Sequence, residues 1–131
     1  MILLDTHVWL WWLSNPEKLS AAAARAIDDG VRENGIVISS ISSWEVALLV
    51  IRGRLELAIN HRDWIGKTEG LPFVHFVPVN NLIALRSVEL PGAFHPDPAD
   101  RIIAATAMTM AIPLVTGDQK IIDYPHLQTI W

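Results

Sequence analysis

Short apolar runs alternate along this chain with longer segments whose apolar positions recur at helical spacing. Residues 1–4 read as a buried strand, and a helix follows that carries Val8, Trp9, Leu10, Trp12 and Leu13. Ser14-Asn15-Pro16-Glu17 predicts a helix restart, with Ser14 as the cap and Pro16 in the first turn. Ser20 predicts the cap of an alanine-rich helix over residues 21–34 that Gly35 stops. Residues 36–39 read as the second strand, and Ser42 as the start of a strongly apolar helix that ends near Arg52-Gly53. Beyond it the pattern predicts a helix over 60–70, a strand over 73–79, and a helix capped by Asn80 or Asn81 that runs to about Leu90. Asp97-Pro98 opens a helix through Ala111, residues 112–116 form a strand, Gln119 to Ile122 a short helix, and residues 127–131 a last strand. Strands separated by helices make an α/β fold with a parallel sheet covered on both faces.

Composition narrows this picture. A chain of 131 residues fits one domain, residues 1–131, with a single core. Apolar residues make up 51% and charged ones 18%, which excludes disorder. The longest apolar runs, 8–13 and 46–51, are far shorter than a membrane span, and the N-terminus meets Asp5 too early for a signal peptide. Without cysteine there is no disulfide framework, thiolate metal site or thiol nucleophile, so a cytoplasmic protein is expected. The net charge of −4 lacks the usual footprint of a nucleic-acid binder, though divalent ions on an acidic cluster would offset part of it. Arg52, Arg54, Arg62 and Lys67 fall within one stretch, which fits either a solvated face or a basic patch.

The acidic residues carry the chemistry. Asp5 closes the first apolar run, Glu45 lies just past the second, Asp118 follows Pro113-Leu114-Val115-Thr116, and Asp100 opens the helix leading into that run. In an open parallel sheet these places gather at the carboxyl ends of the strands, where such folds keep their sites. Carboxylates drawn to one spot repel each other and stay ionised together only when cations hold them. Each also has a local structural reading. Ser42-Ser43-Trp44-Glu45 matches a capping box, and Asp97-Pro98-Ala99-Asp100 matches a cap, a first-turn proline and a third-position acid. Asp5 and Asp118 likewise suit helix starts. Capping is served equally by serine, threonine or asparagine, so four acids, with Asp97 as a fifth, need a further reason. Mg2+ or Mn2+ supplies one, because these hard ions choose carboxylate oxygens.

Leu3-Leu4-Asp5-Thr6-His7, Ser42-Ser43-Trp44-Glu45-Val46, the segment from Asp97-Pro98-Ala99-Asp100-Arg101 to Ala107, and Leu114-Val115-Thr116-Gly117-Asp118 together resemble the PIN-domain pattern in order. The match is similar to VapC-type toxins of type II toxin–antitoxin pairs and spans essentially the whole chain. The resemblance implies a three-layer α/β/α fold with a five-stranded parallel sheet. It also implies a Mg2+- or Mn2+-dependent ribonuclease whose acids are Asp5, Glu45, Asp100 and Asp118, with Thr116 as a polar neighbour and candidate substrate contact and Asp97 as a further candidate ligand. RNA is then the substrate, a cognate antitoxin the partner, and a homodimer the expected assembly, with no membrane attachment. Asp118 is the candidate to orient the attacking water.

Other polar residues are read more plainly. His7 and His95 lie close to acids, and both are expected to be surface or hydrogen-bonded histidines, with approach to substrate as the alternative. Arg101 is expected to pair with a neighbouring acid or to contact phosphate. Trp9, Trp11, Trp12, Trp44 and the 46–51 run exceed what one small core is expected to hide, which suggests anchors for an antitoxin helix, against core packing as the simpler reading. Rival readings fit less well. A haloacid-dehalogenase phosphatase repeats its aspartate where this chain has His7, and a receiver domain needs an acidic pair after the first strand. A PIN-like module that only binds RNA remains the third alternative.

Overall fold

The computed structural model covers Met1–Trp131. Five strands, β1 (Ile2–Leu4), β2 (Ile36–Ser39), β3 (Val74–Val77), β4 (Leu114–Val115) and β5 (Thr129–Ile130), form one sheet of order β3-β2-β1-β4-β5. All pairings are parallel, with Leu3 opposite Val37 on one side and Leu114 on the other. The expected α/β class, five strands and parallel sense are all present. From central β1 the chain first builds outward through β2 and β3, then crosses back to place β4 and β5 on the other side. The strand order therefore switches beside β1, where open sheets form a crevice at their carboxyl ends.

Alternate side chains of the strands feed two apolar layers, because successive residues of a strand point to opposite faces. Ile2, Leu4, Ile36, Ile38 and Val115 pack on one face with Val8, Trp9, Ala23, Ile27, Val46 and Trp64. Leu3, Val37 and Leu114 pack on the other with Ile103, Ala107 and Ile121. The first layer is supplied by helices α1 (Thr6–Ser14), α2 (Ala21–Arg32), α3 (Ser40–Ile51) and α4 (His61–Glu69). The second is supplied by α6 (Pro98–Met110) and α7 (Gln119–Ile122), with α5 (Asn81–Val88) packed against α6. Strands covered on both faces have no polar positions to alternate, which is why they read as continuous apolar runs.

Caps set most helix ends. Ser20 accepts the Ala23 N–H as its position predicts, Asn80 rather than Asn81 caps α5 by accepting from Ile83, and Asn60 caps α4 by accepting from Arg62. Three expectations need correction. The segment after α1 is a single 3-10 turn, Pro16–Lys18, and Ser14 is the last residue of α1 and caps nothing. Helix α2 ends at Arg32 with Glu33 as its C-cap, and Asn34 takes the left-handed conformation (φ 55°) that asparagine tolerates, before Gly35 is reached. Helix α3 begins a turn earlier than Ser42: Ser39 is the cap and accepts the Ile41 N–H at 3.2 Å. Ser42 is instead buried within the helix, so the capping box that explained Glu45 does not exist.

The tryptophans range from buried to exposed, with Trp11 and Trp12 half-buried. Trp9 is fully buried, stacks at 4.8 Å on Trp64, and donates its indole N–H to Thr68 at 3.3 Å. Val46 is also core, so neither it nor Trp9 is available to a partner. Trp44 is 55% exposed and Ile51 74%. Trp9→Ala is expected to destabilise the fold by about 3–5 kcal/mol through the cavity it leaves. Trp44→Ala is expected to stay within about 0.5 kcal/mol of the parent. Urea unfolding checks both, and equal losses would contradict this assignment of the core.

Candidate active site

Asp5 leaves the carboxyl end of β1 and is only 3% exposed. Its Oδ1 accepts the Thr6 N–H at 2.8 Å, which caps α1, and its Oδ2 accepts the Thr116 hydroxyl at 2.8 Å. Thr116, just past β4, in turn accepts the Asp118 N–H at 3.1 Å. One buried hydroxyl thus joins the acids that end the two strands flanking the switch. Asp118 Oδ1 accepts the Lys120 N–H at 3.0 Å and caps α7. The same carboxylates that start helices are the ones delivered to the crevice.

Glu45 arrives from α3, beyond β2. With Ser39 as the cap, residue 45 lies in the second turn, and its Oε1 accepts the Thr6 hydroxyl at 2.5 Å. Thr6 Oγ1 also lies 2.8 Å from Ser42 Oγ. Thr6 and Ser42 therefore hold Glu45 toward the site, a role that sequence reasoning assigned to capping. Asp100 occupies the third position of α6, and its N–H is accepted by Asp97 Oδ1 at 3.1 Å, so the Asp97 cap forms as its spacing predicts.

Electrostatics shows how closely these groups crowd. Burial, with the charges of Asp5, Asp97, Glu45 and Asp118 acting in the same direction, pushes Asp100 up to about 8. Burial also raises Glu45, with Asp5 and Asp97 adding to the rise and the Thr6 hydroxyl opposing it. Asp5 is raised by burial, against the lowering influence of His7, Thr116 and the Thr6 N–H. Each of the four expected acids, and Asp97 with them, thus contributes to one shared field.

The two histidines differ. His7 Nε2 accepts the Gly117 N–H at 3.0 Å, which leaves the ring proton on Nδ1, 3.5 Å from Asp5 Oδ2. It behaves as the hydrogen-bonded histidine expected. His95 is turned into the crevice, with Nε2 buried and 3.3 Å from Asp100 Oδ2, and with no hydrogen-bond partner. The sequence signal for this was only its place two residues before Asp97. Arg101 pairs with no acid. Its guanidinium donates to the carbonyls of Ser87 (2.8 Å), Phe94 (3.0 Å) and His95 (3.4 Å), fixing the loop before α6.

The donor set fits a hard divalent cation. His95, Asp100 and Asp118 each offer a ligand atom within 4.8 Å of the others. Asp5 and Glu45 share the same field. Carboxylates raised by burial and by one another's charge are what a cation would return to their ionised form.

A pH dependence follows for the metal-free protein. An acid whose pKa is raised on folding binds its proton more tightly when folded. Its contribution to stability is complete below the ordinary value of 3.8 and is lost as pH rises toward about 8. Burial acts in the same direction on Asp5 and Glu45. In chelator, the melting temperature is therefore expected to fall across that window, and Asp100→Asn to flatten the fall. Thermal unfolding across this range checks it; a parent that gains stability with rising pH would show the acids to be apart.

Known proteins share this architecture. Residues 2–127 match the model of the PIN domain. The chain is 36% identical over 132 aligned positions to Ribonuclease VapC22 of Mycobacterium tuberculosis, covering 99% of this chain and 98% of that protein. Among solved structures, FitAcB from Neisseria gonorrhoeae superposes with a TM-score of 0.70 at 22% identity, over 98% of this chain and 96% of that one. VapBC2 from Rickettsia felis, bound to a DNA fragment from its promoter, superposes with a TM-score of 0.72 at 18% identity, over 98% and 97%. With five parallel strands, a site at their switch point and a family match over almost its full length, the chain belongs to the PIN-domain family.

Proposed function

We propose that this protein is a metal-dependent ribonuclease that acts as the toxin of a toxin–antitoxin pair. The observation that carries the reading is the convergence of Asp5, Glu45, Asp100 and Asp118 on one crevice, with Asp100 driven up to about 8. The 36% identity to a ribonuclease VapC supports the substrate class and the biological role. Strand order speaks against the receiver-type alternative, because flavodoxin-like receivers run 2-1-3-4-5 and this sheet runs β3-β2-β1-β4-β5. A module that only binds RNA would have no need to hold four repelling carboxylates together.

In this reading Asp5, Glu45, Asp100 and Asp118 are the ligands of Mg2+ or Mn2+, and Asp97 adds charge while it caps α6. When bound, such an ion offers Lewis acidity toward the scissile phosphodiester and the attacking water. The chain's own residues do the positioning. Thr116 holds Asp5 and the Asp118 backbone in one register, and Thr6 holds Glu45. Asp118, whose Oδ2 is free of the capping bond, is placed to orient the water. Arg101 acts indirectly, by fixing the loop, and not as a phosphate contact.

Partners fit the surface that remains. A cleft of about 280 Å³ runs from Glu45 and Asp97 past Trp44 and Leu48 to Arg52. Trp44 also borders a second groove, with Arg62 and Ile65. An antitoxin segment lying here would meet apolar anchors beside bases, close to the acids. Arg52 and Arg62 thereby gain a role that net charge alone did not give them. The assembly is taken as a homodimer. No helix is long and apolar enough to cross a membrane. Trp44→Glu is expected to weaken capture of the cognate antitoxin while leaving the fold intact; unchanged capture in a pull-down would move the antitoxin elsewhere.

Glu45→Gln and Asp100→Asn test the catalytic reading. Glutamine keeps an acceptor for Thr6, and asparagine keeps the shape of Asp100, so both variants should melt within a few degrees of the parent in chelator. Each removes a negative ligand that hard divalent ions prefer to an amide oxygen. Loss of metal-induced stabilisation and of RNA cleavage is the expected result. Cleavage at the parental rate with Mg2+ by both variants would sink the proposed site.

A further inference from the structure

The carboxylates at the crevice do not stand alone, because one imidazole is aimed into them. His95 Nε2 is buried and makes no hydrogen bond. Buried polar atoms in folded proteins nearly always have a partner, so an orphan needs a reason. This one lies 3.3 Å from Asp100 Oδ2. Two ligands at right angles around an ion at ~2.1 Å stand ~3 Å apart, so this spacing is that of neighbours on one cation. A ring nitrogen of His95 and carboxylate oxygens of Asp100 and Asp118 lie within 4.8 Å of one another.

The ring is also held in place. It stacks on Phe94 with centroids 4.6 Å apart and planes 21° from parallel. Arg101 lies over the Phe94 ring, 5.8 Å from its centroid, and donates to the carbonyls of Phe94 and His95. Arg101 adjoins Asp100 on α6, so the residue that fixes the loop is covalently joined to the carboxylate the imidazole faces. The loop conformation, the ring and the acid form one unit.

We propose that His95 is a direct ligand of the divalent ion at this site, giving the centre one nitrogen donor among its oxygens and a preference for Mn2+ over Mg2+. This rests on the reading of the crevice as a divalent-metal site. Mg2+ binds through carboxylates, waters and phosphates, whereas imidazole is a donor for transition metals. A centre of carboxylates alone would discriminate far less between the two ions. The competing arrangement has His95 donating a proton to Asp100 and never touching the ion.

Pulsed electron paramagnetic resonance of the Mn2+-loaded protein separates the two. The parent is expected to show imidazole-nitrogen modulation on bound Mn2+, and His95→Gln to lose it. In the same variant, Mn2+ affinity should fall by about tenfold or more, and Mg2+ affinity by less. The other nearby ring, His7, has its Nε2 engaged by Gly117, and the variant assigns the signal between them. His95→Asn repeats the comparison if circular dichroism shows that glutamine is not accommodated beside Phe94. Asp100→Asn is the reference and should lose Mn2+ binding. No nitrogen modulation in the parent, or modulation that survives both His95 variants, overturns the proposal while Mn2+ binding keeps the acidic site. A parent that binds no Mn2+ overturns the site and the proposal together.

Discussion

Mutual repulsion among carboxylates is the constraint around which the rest of this molecule is arranged. Asp5 is 3% exposed, yet it faces Asp118 and stands within the field that acts on Asp100. Water cannot screen charges in such a place as it does at a surface. The fold answers with fixed donors. Thr6 supplies an N–H to Asp5 and a hydroxyl to Glu45, and Thr116 supplies a hydroxyl to Asp5 while it accepts from Asp118. These bonds hold the acids in register but leave Asp100 raised to about 8. That rise comes first from burial and then from the neighbouring charges, and a cation at the site would offset both.

Capping and catalysis prove to be the same geometry seen from two sides. A carboxylate that caps a helix uses one oxygen on the first turn and keeps the other for a second partner, as Asp5 does with Thr116. Asp5, Asp97 and Asp118 cap α1, α6 and α7. In a parallel sheet a helix that follows a strand starts at the carboxyl edge, as α1 and α7 do, and α6 starts there because it leads back into β4, so all three caps bring a carboxylate to that edge. An acid is the one capping residue that also brings charge there. Glu45 marks the limit of this logic. It caps nothing, and only the bonds from Thr6 place it.

How much of this was legible in the chain varies with the range of the interaction. Buried strands declared themselves because both faces are covered, and residues 36–39 match β2 without adjustment. The Ser20 cap, with its side chain three residues from its target, was equally plain, and the α5 cap was narrowed to Asn80 or Asn81. The start of α3 was misread because Ser39, Ser40, Ser42 and Ser43 offer several caps, and burial of Ser42 against Thr6 decides among them. Local sequence carries no trace of that contact between residues 36 positions apart. His95 and Arg101 were obscure for a related reason. Arg101 finds carbonyls on a loop whose path is set by tertiary packing, and the direction of His95 depends on that path. Trp9 and Trp44 look alike in sequence, and only the layer each faces separates them.

A site that resists its own charges must be supported from elsewhere. The two apolar layers supply that support, since Leu3, Leu4, Val8, Trp9, Ile38, Ile103 and Leu114 are all closed to solvent around the crevice. Leu4 is bonded to Asp5 in the chain, and Val115 adjoins Thr116. Any relaxation of the acids away from each other would therefore drag strand residues out of the core. Hydrophobic burial thus works as the clamp that keeps the carboxylates together in the metal-free state, and the hydrogen bonds only fix their orientation. The clamp explains why the shortest strands suffice here. Two-residue β4 is fully buried and pinned between β1 and β5, and it carries Thr116 and Asp118 immediately beyond it. Rigidity at that point comes from packing on both faces, and length would add nothing that the site requires.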